Sequence, residues 1–296
     1  MNLSVSMITF QGAAYLKAQM DSILVQSLPV HEIIVCDDGS TDGTREILAD
    51  YADAYPQIKL QFNPENLGTV ANMQQCLRLS TGDIIFLADQ DDVWLPNKVE
   101  KTLAFFEQNP TAEAIFSNAE IIDEVDETQI GMTLWDIIGF PFGKVELTDF
   151  VRRVDNVVTG AGMAMKRDAT LLAMEIPVLP GLLHDGWIGL YFASKNTLHA
   201  NPETLFHYRC HAKQQVGGKI AERSQLLDFN IALYGGIPVM KDFKTWKEAM
   251  KRLYINLSLP YMQTEKIQEQ IDLYAEYGKT YFRLRASLFL FMKAIR

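Results

Sequence analysis

Three carboxylates directly behind a short apolar run limit the possible folds of this chain more than any other feature. The run from Ile84 to Ala88 is apolar throughout and follows a Thr81-Gly82-Asp83 turn. A run this short predicts a strand buried on both faces, and open α/β sheets bind their ligands at the carboxyl ends of such strands. Asp89, Asp91 and Asp92 come immediately after the run. The sequence therefore predicts a ligand site at this corner.

The spacing of these acids indicates a metal. Three carboxylates this close repel one another, so one stays protonated or a cation lies among them. Asp89 and Asp91 are one residue apart and can both face a hard divalent ion, and oxygen ligands suit magnesium or manganese. A solvated acidic turn is the alternative. The helix start at Leu95-Pro96-Asn97-Lys98 favours the metal because it places the acids at a strand-to-helix corner.

Charge and cysteine content exclude several classes of protein. The 296 residues include 27 basic and 37 acidic ones, a net charge of −10, which argues against a nucleic-acid partner. A phosphate-bearing substrate would then need a local cation. The three cysteines show no zinc or disulfide spacing, which predicts a reducing cytosol. Neither a signal peptide nor a run of ~18 apolar residues is expected, so we predict a cytoplasmic protein.

Strands and helices alternate over the first half of the chain. Weak alternation predicts a strand at Leu3–Thr9, a buried strand is predicted at Glu32–Cys36 and a third strand at Ile58–Phe62, with helical periodicity between them. This alternation predicts an α/β fold with a mostly parallel, Rossmann-like sheet flanked by helices. From Lys219 onward the pattern is helical. We therefore predict a domain at residues 1–217 and a helical C-terminal extension at residues 218–296.

Two further acidic positions are candidates for the site. Asp37 and Asp38 end the second strand, where a carboxylate can accept a base N–H or a ribose hydroxyl. Capping of the next helix by Ser40 or Thr41 is the alternative for this loop. Asp185 is predicted at a helix start, where it either takes a proton from a hydroxyl or caps the helix. Both interpretations of Asp185 stay open.

A third candidate cluster follows the last predicted strand. His211 can ligate a metal, and Arg209 and Lys213 can pair with the phosphates of a diphosphate. A structural histidine is the alternative.

In this order and spacing, these motifs resemble those of inverting glycosyltransferases of family 2, which have the GT-A fold. The resemblance covers roughly residues 1–217. Within the family, the residues of these motifs are most similar to those of the bacterial rhamnosyltransferase-like branch. The residues that carry it are Thr9-Phe10, Asp37-Asp38-Gly39-Ser40-Thr41-Asp42, Asn66-Leu67-Gly68, Asp89-Gln90-Asp91-Asp92-Val93-Trp94, His184-Asp185 and Tyr208-Arg209-Cys210-His211.

The resemblance implies a role for each position. The residues implied for the nucleotide are Thr9, Asp37, Asp38, Asn66 and Asp89. Those implied for a Mn²⁺ or Mg²⁺ cofactor are Asp89, Asp91 and His211. Asp185 would be the base that activates the acceptor hydroxyl.

The resemblance also implies a reaction. A sugar would pass from a dTDP- or UDP-sugar, with dTDP-rhamnose favoured by the branch, to a saccharide or lipid-linked acceptor in bacterial cell-surface polysaccharide synthesis. The sequence departs from the family pattern at two places. Gly186 follows Asp185, which concerns contacts with the acceptor, and Gln214, three residues after His211, stands where the branch often has Asn. The Gln-X-X-Arg-Trp motif of processive synthases is absent, so a non-processive enzyme is expected.

Two other functions fit parts of the pattern. Asp89-Gln90-Asp91-Asp92-Val93 also resembles the nucleophile motif of haloacid-dehalogenase-like phosphatases, although that motif normally opens its domain. A non-catalytic carbohydrate-binding protein on the same fold is the second alternative.

The C-terminal residues 279–296 contain five basic residues and no acidic one. Their basic, aromatic-rich pattern predicts a peripheral contact with anionic lipid on the inner face of the membrane. The alternative is packing on its own domain or on a second subunit in a homodimer.

Overall fold

A computed structural model of the chain describes residues 1–125, 128–135, 143–144, 158–173, 176, 183–211 and 214. Its first half contains four parallel strands in the spatial order β3-β2-β1-β4. They are β1 (Leu3–Thr9), β2 (Glu32–Asp37), β3 (Ile58–Phe62) and β4 (Ile84–Ala88). Every residue of β2 and β4 is buried, as expected for inner strands covered on both faces.

Helices connect these strands, as their periodicity predicts. They are α1 (Leu16–Leu24), α2 (Thr44–Ala54) and α3 (Thr69–Leu79). In α3 the buried apolar residues are Met73, Cys76 and Leu77, and they join the core formed with the sheet. The capping prediction for Ser40 and Thr41 is wrong: Gly43 precedes α2, because its positive φ of 96° suits the turn into the helix.

The second half of the chain extends the same sheet. Its strands are β5 (Val93–Trp94), β6 (Ala114–Ile122), β7 (Thr128–Thr133), β8 (Gly143–Lys144), β9 (Met163–Lys166) and β10 (Leu198–Arg209). Its helices are α4 (Lys98–Gln108), α5 (Arg167–Ala173) and α6 (His184–Ser194). The helix predicted from Leu95 begins later, at Lys98, because the chain just before it is still paired with β10 through Val93 and Trp94.

The order of these strands explains the shape of the site. β9 lies antiparallel between β4 and β6, so β6 runs in the same direction as β4, and β10 is parallel to β6. The carboxyl ends of β1, β2, β4 and β10 therefore lie along one edge of the sheet. This is the edge at which an open α/β sheet binds ligands, and the predicted α/β class is confirmed.

At the opposite edge of the sheet, Glu32 connects neighbouring strands through hydrogen bonds. Its Oε1 accepts hydrogen bonds from Ser4 Oγ at 2.6 Å and the Thr81 backbone N–H at 2.6 Å, while Lys59 Nζ donates to Oε2 at 2.7 Å. Burial alone would raise the pKa of Glu32, but these donors outweigh it and lower the pKa to about 2. Glu32 thereby ties β1, β2, β3 and the start of β4 together.

Some predictions lie outside the described residues. They are the boundary at 217, the helical extension 218–296 with its segment 279–296, a helix that the sequence pattern predicts at 147–154, and the side chain of Lys213. Among the helices that the structure does describe, none has the length and apolar character needed to cross a membrane.

Candidate active site

Both carboxylate oxygens of Asp37, at the end of β2, already accept hydrogen bonds from other residues of the protein. Its Oδ1 accepts from the Ser40 N–H at 3.0 Å and Arg45 Nε at 2.6 Å, and its Oδ2 accepts from Thr9 Oγ1 at 2.9 Å and Ser40 Oγ at 2.5 Å. Burial opposes ionisation of Asp37, but these hydrogen bonds outweigh it and lower the pKa. A nucleotide contact by Asp37 would have to replace one of these bonds.

Asp38 shapes the loop that carries Asn66. Its Oδ1 accepts from Asn63 Nδ2 at 3.0 Å and from the Leu67 N–H at 2.8 Å, and its Oδ2 accepts from the Gly68 N–H at 2.9 Å. Asn66 is exposed, and its Oδ1 accepts from the Gly68 N–H at 3.0 Å. Asp38 thus holds the loop beside β2, while Asn66 faces the open side of that loop.

The three acids after β4, which we call the acid corner, occupy unequal environments. Asp92 is fully buried: its Oδ1 accepts from the Arg209 N–H at 3.0 Å, and its Oδ2 has no hydrogen-bond partner among the described residues. Burial, followed by the charges of Asp91 and Asp89, raises the pKa of Asp92 well above its usual range. Burial therefore favours the protonated form of Asp92 more than that of an exposed acid.

Asp89 is half-buried and electrostatically linked to both other candidate carboxylates. Burial raises its pKa most, and the charges of Asp91 and Asp185 raise it further, to about 7. The structure therefore brings both Asp91 and Asp185 within electrostatic reach of Asp89. Such crowding stores repulsion that a bound cation would relieve.

Lys98 is a buried cation beside this corner that sequence reasoning did not single out. Its Nζ donates to the Ala161 carbonyl at 2.7 Å and lies 4.5 Å from the Trp94 ring centroid and 4.2 Å from that of Phe206. Burial lowers the pKa of Lys98 to about 7, although the charges of Asp92 and Asp89 oppose this. The aromatic rings compensate part of the lost hydration through cation–π attraction.

The loop after β10 places His211 on Asp91. The His211 Nε2 and Asp91 Oδ2 atoms are 2.9 Å apart, and Tyr15 packs on the imidazole with ring centroids 4.7 Å apart. Arg209 is buried and donates from Nε to the Asp91 carbonyl and from Nη1 to the Asp123 carbonyl. Arg209 thus fixes the backbone of the acid corner through the Asp91 carbonyl. To contact a diphosphate, its guanidinium would have to leave these two carbonyls.

Asp185 lies in the first turn of α6 but does not cap it. The residue before the helix is Leu183, and no side chain makes a capping hydrogen bond there. Asp185 Oδ2 accepts from the Gly160 N–H at 3.3 Å, and Oδ1 accepts from the Gly186 N–H at 2.7 Å. A Cβ at Gly160 would lie 3.3 Å from the Asp185 Cβ, so the turn at Gly160–Gly162 packs closely against this carboxylate.

His184 precedes Asp185 and belongs to the motif that carries the resemblance, but the sequence analysis gives it no role of its own. It is buried, and neither ring nitrogen has a hydrogen-bond partner among the described residues. Burial lowers the pKa of His184, with the charge of Asp185 acting in the opposite direction. A neutral imidazole therefore lies directly behind the candidate base.

The donor atoms at the corner suit a divalent ion that is shared with a ligand. Asp91 and His211 offer a carboxylate and an imidazole side by side, and Asp89 lies near. No group of three or more histidine, cysteine or acidic side chains in the described ranges is close enough to hold a metal by itself. Magnesium and similar ions in phosphate-handling sites are commonly bound by one or two carboxylates plus substrate phosphates. The residues present fit that arrangement.

The sequence of this chain is similar to those of known proteins. Residues 4–171 match the family described as Glycosyl transferase family 2. The Bacillus subtilis (strain 168) protein EpsE, named as a glycosyltransferase, is 37% identical over 123 residues, which are 41% of this chain and 44% of EpsE. The Escherichia coli protein WfgD is named UDP-Glc:alpha-D-GlcNAc-diphosphoundecaprenol beta-1,3-glucosyltransferase. It is 30% identical over 121 residues, 41% of this chain and 47% of WfgD. Both matches span less than half of the relative.

Solved structures share the fold. TarS 1-349 from S. aureus, in complex with UDP-GlcNAc, superposes with a TM-score of 0.57 at 15% identity and covers 91% of this chain and 78% of that one. The mannosyltransferase PcManGT from Pyrobaculum calidifontis, with GDP-Man and Mn2+, superposes with a TM-score of 0.51 at 18% identity, covering 96% and 84%. The predicted GT-A-like fold is confirmed. Because the family match covers more than half of the 296 residues, the chain belongs to glycosyl transferase family 2.

Proposed function

We propose that this protein is a metal-dependent, inverting glycosyltransferase that moves one sugar per encounter from a nucleotide donor to an acceptor hydroxyl. The observation that carries this proposal is the meeting of Asp89, Asp91, His211 and Asp185 at the carboxyl edge of the sheet. The acid corner offers ligands for a diphosphate-bound metal, and Asp185 offers a proton acceptor within electrostatic reach of it. These are the two groups that displacement of a nucleoside diphosphate requires.

The nucleotide would bind along β1 and β2. Thr9, Asp37 and Asp38 lie at the strand ends, and Asn66 lies on the loop that Asp38 holds. Because Asp37 and Asp38 are already hydrogen-bonded, their part in the proposal is to fix the walls of the nucleotide pocket unless a donor displaces a bond. Asp89 would lie between the ribose and the diphosphate.

The cofactor in this proposal is Mn²⁺ or Mg²⁺, held by Asp91 and His211 with support from Asp89. Once bound, the ion would neutralise charge that develops on the leaving diphosphate. Imidazole binds transition-metal ions, including Mn²⁺, more readily than Mg²⁺, whereas carboxylate suits both manganese and magnesium. The Asp91–His211 pair therefore favours Mn²⁺. Lys213 is a proposed diphosphate contact, and Arg209 would be a second one after leaving the Asp91 and Asp123 carbonyls.

Asp185 performs the second half of the reaction in this proposal. Its carboxylate accepts the proton of the acceptor hydroxyl as that oxygen attacks the anomeric carbon, while the bond to the diphosphate breaks on the opposite face. A single in-line displacement inverts the configuration at that carbon. The Gly160 and Gly186 N–H groups donate to the carboxylate and hold it in place.

Relatives support the substrate classes. WfgD is named for a UDP-glucose donor and a diphosphoundecaprenol-linked acceptor, and the structural neighbours were solved with UDP-GlcNAc or GDP-Man. For this chain we propose a UDP- or dTDP-sugar, with dTDP-rhamnose as one donor to test, and a saccharide or lipid-linked acceptor in cell-surface polysaccharide synthesis. The proposed place of action is the cytoplasm at the inner face of the membrane.

A panel of sugar nucleotides tests this function. The protein is incubated with UDP- and dTDP-sugars, including dTDP-rhamnose, with MnCl2 or MgCl2, and release of the nucleoside diphosphate is measured. We expect release from at least one donor, its loss in excess chelator, and its loss in Asp91→Ala. The matched control Asp53→Ala removes an exposed acid of α2 and should keep wild-type release. Full turnover in chelator would contradict the metal role, and release of phosphate from simple esters would support the phosphatase alternative.

A further inference from the structure

Four consecutive backbone N–H groups after β1 each donate to a side-chain oxygen from another part of the chain. The Gln11, Gly12 and Ala13 N–H groups donate to Ser40 Oγ at 2.8 Å, Thr44 Oγ1 at 2.9 Å and Asp42 Oδ2 at 3.1 Å, all on the loop between β2 and α2 or at the start of α2. The Phe10 N–H donates instead to Gln90 Oε1 at 2.9 Å, in the acid corner. Residues 10–13 therefore form a segment tied to both sides of the proposed donor pocket.

Gln90 grips this segment with both ends of its amide. Besides accepting from the Phe10 N–H, it donates from Nε2 to the Phe10 carbonyl at 3.0 Å. Its neighbours Asp89 and Asp91 are the proposed metal-side residues. These two hydrogen bonds resemble those between paired strands. They hold the Phe10 backbone at a fixed distance from the acid corner.

Gly12 makes room for this grip. A Cβ on Gly12 would lie 2.1 Å from Gln90 Oε1, 2.4 Å from its Cδ and 3.1 Å from its Nε2, and these are the three nearest atoms that it would meet. Gln11 beside it has a positive φ of 53°, an unfavourable conformation for a residue with a side chain. Such a conformation persists only where surrounding bonds hold it.

We propose that Gln90 is a positioning residue that holds residues 10–13 against the acid corner, so that the nucleoside and diphosphate parts of a bound donor meet walls at a fixed spacing. The proposal rests on the donor pocket proposed above. Its ligand is a nucleoside diphosphate, whose affinity depends on the spacing between residues 10–13 and the acid corner. Without the Gln90 bonds, the segment keeps its attachment to Ser40, Thr44 and Asp42 but loses its attachment to the metal side.

The Gly12 geometry provides a mutant cycle that tests this link. Gly12→Ala should push the Gln90 amide away and so imitate Gln90→Ala. In the double variant the alanine at position 12 meets no glutamine, so the second substitution should add nothing to the first. The control Gln61→Ala removes a partly exposed glutamine whose amide meets the Phe62 carbonyl at 3.4 Å, away from the acid corner.

Two measurements are made on these proteins. Hydrogen exchange of the residue 10–13 amides is measured without ligand, and the affinity for UDP and for dTDP is measured by calorimetry in MnCl2. We expect exchange to rise and affinity to fall by about tenfold in Gln90→Ala, Gly12→Ala and the double variant alike, with the control unchanged. The thermal midpoint should move little because the Gln90 bonds are partly exposed.

Distinct results would overturn the link or the donor pocket. Unchanged exchange in Gln90→Ala, or losses that add in the double variant, would overturn the positioning role. If the wild type bound neither nucleotide, the proposed donor pocket would be wrong, and hydrogen exchange at residues 10–13 would still decide whether Gln90 holds the segment.

Discussion

Asp185 shows how one carboxylate can be assigned a role by its neighbours. It accepts hydrogen bonds from Gly160 and Gly186, and it does not cap α6. Asp185→Asn keeps the size and one accepting oxygen but cannot take a proton. We expect donor affinity within about twofold of wild type and a transfer rate lower by ~10²–10⁴, the usual cost of losing a positioned base. Calorimetry with the donor and a transfer assay measure the two quantities separately.

A matched variant separates the base role from the loss of a helix-start charge. Asp168 is an exposed acid in the first turn of α5, and Asp168→Asn should transfer at the wild-type rate. Transfer by Asp185→Asn at near wild-type rate would remove Asp185 as the proton acceptor.

Lys98 predicts a pH dependence of stability. Burial lowers its pKa from 10.5 to about 7, so between these pH values the unfolded chain binds a proton that the folded protein does not. The stability of the protein therefore falls as the pH is lowered from 10.5 to 7, and Lys98 causes no further change below 7, where it is protonated in both states. Relative to Lys98→Met, the wild type should gain about 1.4 kcal/mol per pH unit between pH 7 and 9.5.

Urea unfolding of both proteins across that range measures the difference directly. Lys166→Met serves as the control, since Lys166 also donates to a carbonyl, that of Pro110, and lies near an aromatic ring, but away from the acid corner. A pH-independent difference between wild type and Lys98→Met would mean that Lys98 keeps its proton in the folded protein.

Sequence reasoning found the acids of the site more easily than their supports. Asp89, Asp91 and Asp185 follow recognisable strand and helix signals, so they could be named in advance. Lys98 could not, because a lysine at a helix start normally faces solvent, and its aromatic wall includes Phe206 from a distant strand. Gln90 was passed over for a related reason: its partner, Phe10, comes close only when β1 and β4 pair.

At the scale of whole elements, local patterns predicted the parallel strands best. β1 and β3 have the predicted bounds because apolar and polar residues alternate along them, which marks a strand clearly. The sequence pattern predicts the last strand only at 204–208, because Pro202 interrupts the apolar pattern, whereas β10 spans Leu198–Arg209. The structure accommodates Pro202 where the pairing with β6 shifts register, between Asn201 and Thr204. The antiparallel place of β9 depends on tertiary pairing, which no local pattern reports.

Glu32 gives a prediction at the scale of the strands that it joins. Its pKa is lowered from 4.5 to about 2, so its stabilising effect is complete above pH 4.5 and is lost as the pH falls through 2. Glu32→Gln should lower the free energy of unfolding by about 2–3 kcal/mol at pH 7. The difference should shrink as the pH falls below 4.5. Denaturant unfolding at pH 7, 5 and 3.5 measures this trend.

An exposed acid provides the comparison. Glu46→Gln, in the first turn of α2, should change stability by less than about 0.5 kcal/mol. A Glu32→Gln difference that stayed constant down to pH 3.5 would show that the charge of Glu32 does not join the strands.

For the whole molecule, the distribution of charge matters more than its sum. The net charge of −10 would repel both a diphosphate and an anionic membrane, so each needs a local cation. The proposed metal serves the first need at the acid corner. The second need is met in our proposal by residues 279–296, whose five basic residues are Lys279, Arg283, Arg285, Lys293 and Arg296.

These five charges predict binding to anionic lipid. Each basic residue near such a surface contributes ~1 kcal/mol, and the aromatic residues between them can enter the interface. Deleting residues 279–296 should therefore weaken binding to phosphatidylglycerol vesicles by at least ~10², with little change on phosphatidylcholine. Donor hydrolysis should survive the deletion. A full-length variant with the five basic residues changed to Gln should bind the vesicles as weakly as the deletion. Equal binding with and without the segment would leave packing on the protein or on a second subunit as its role.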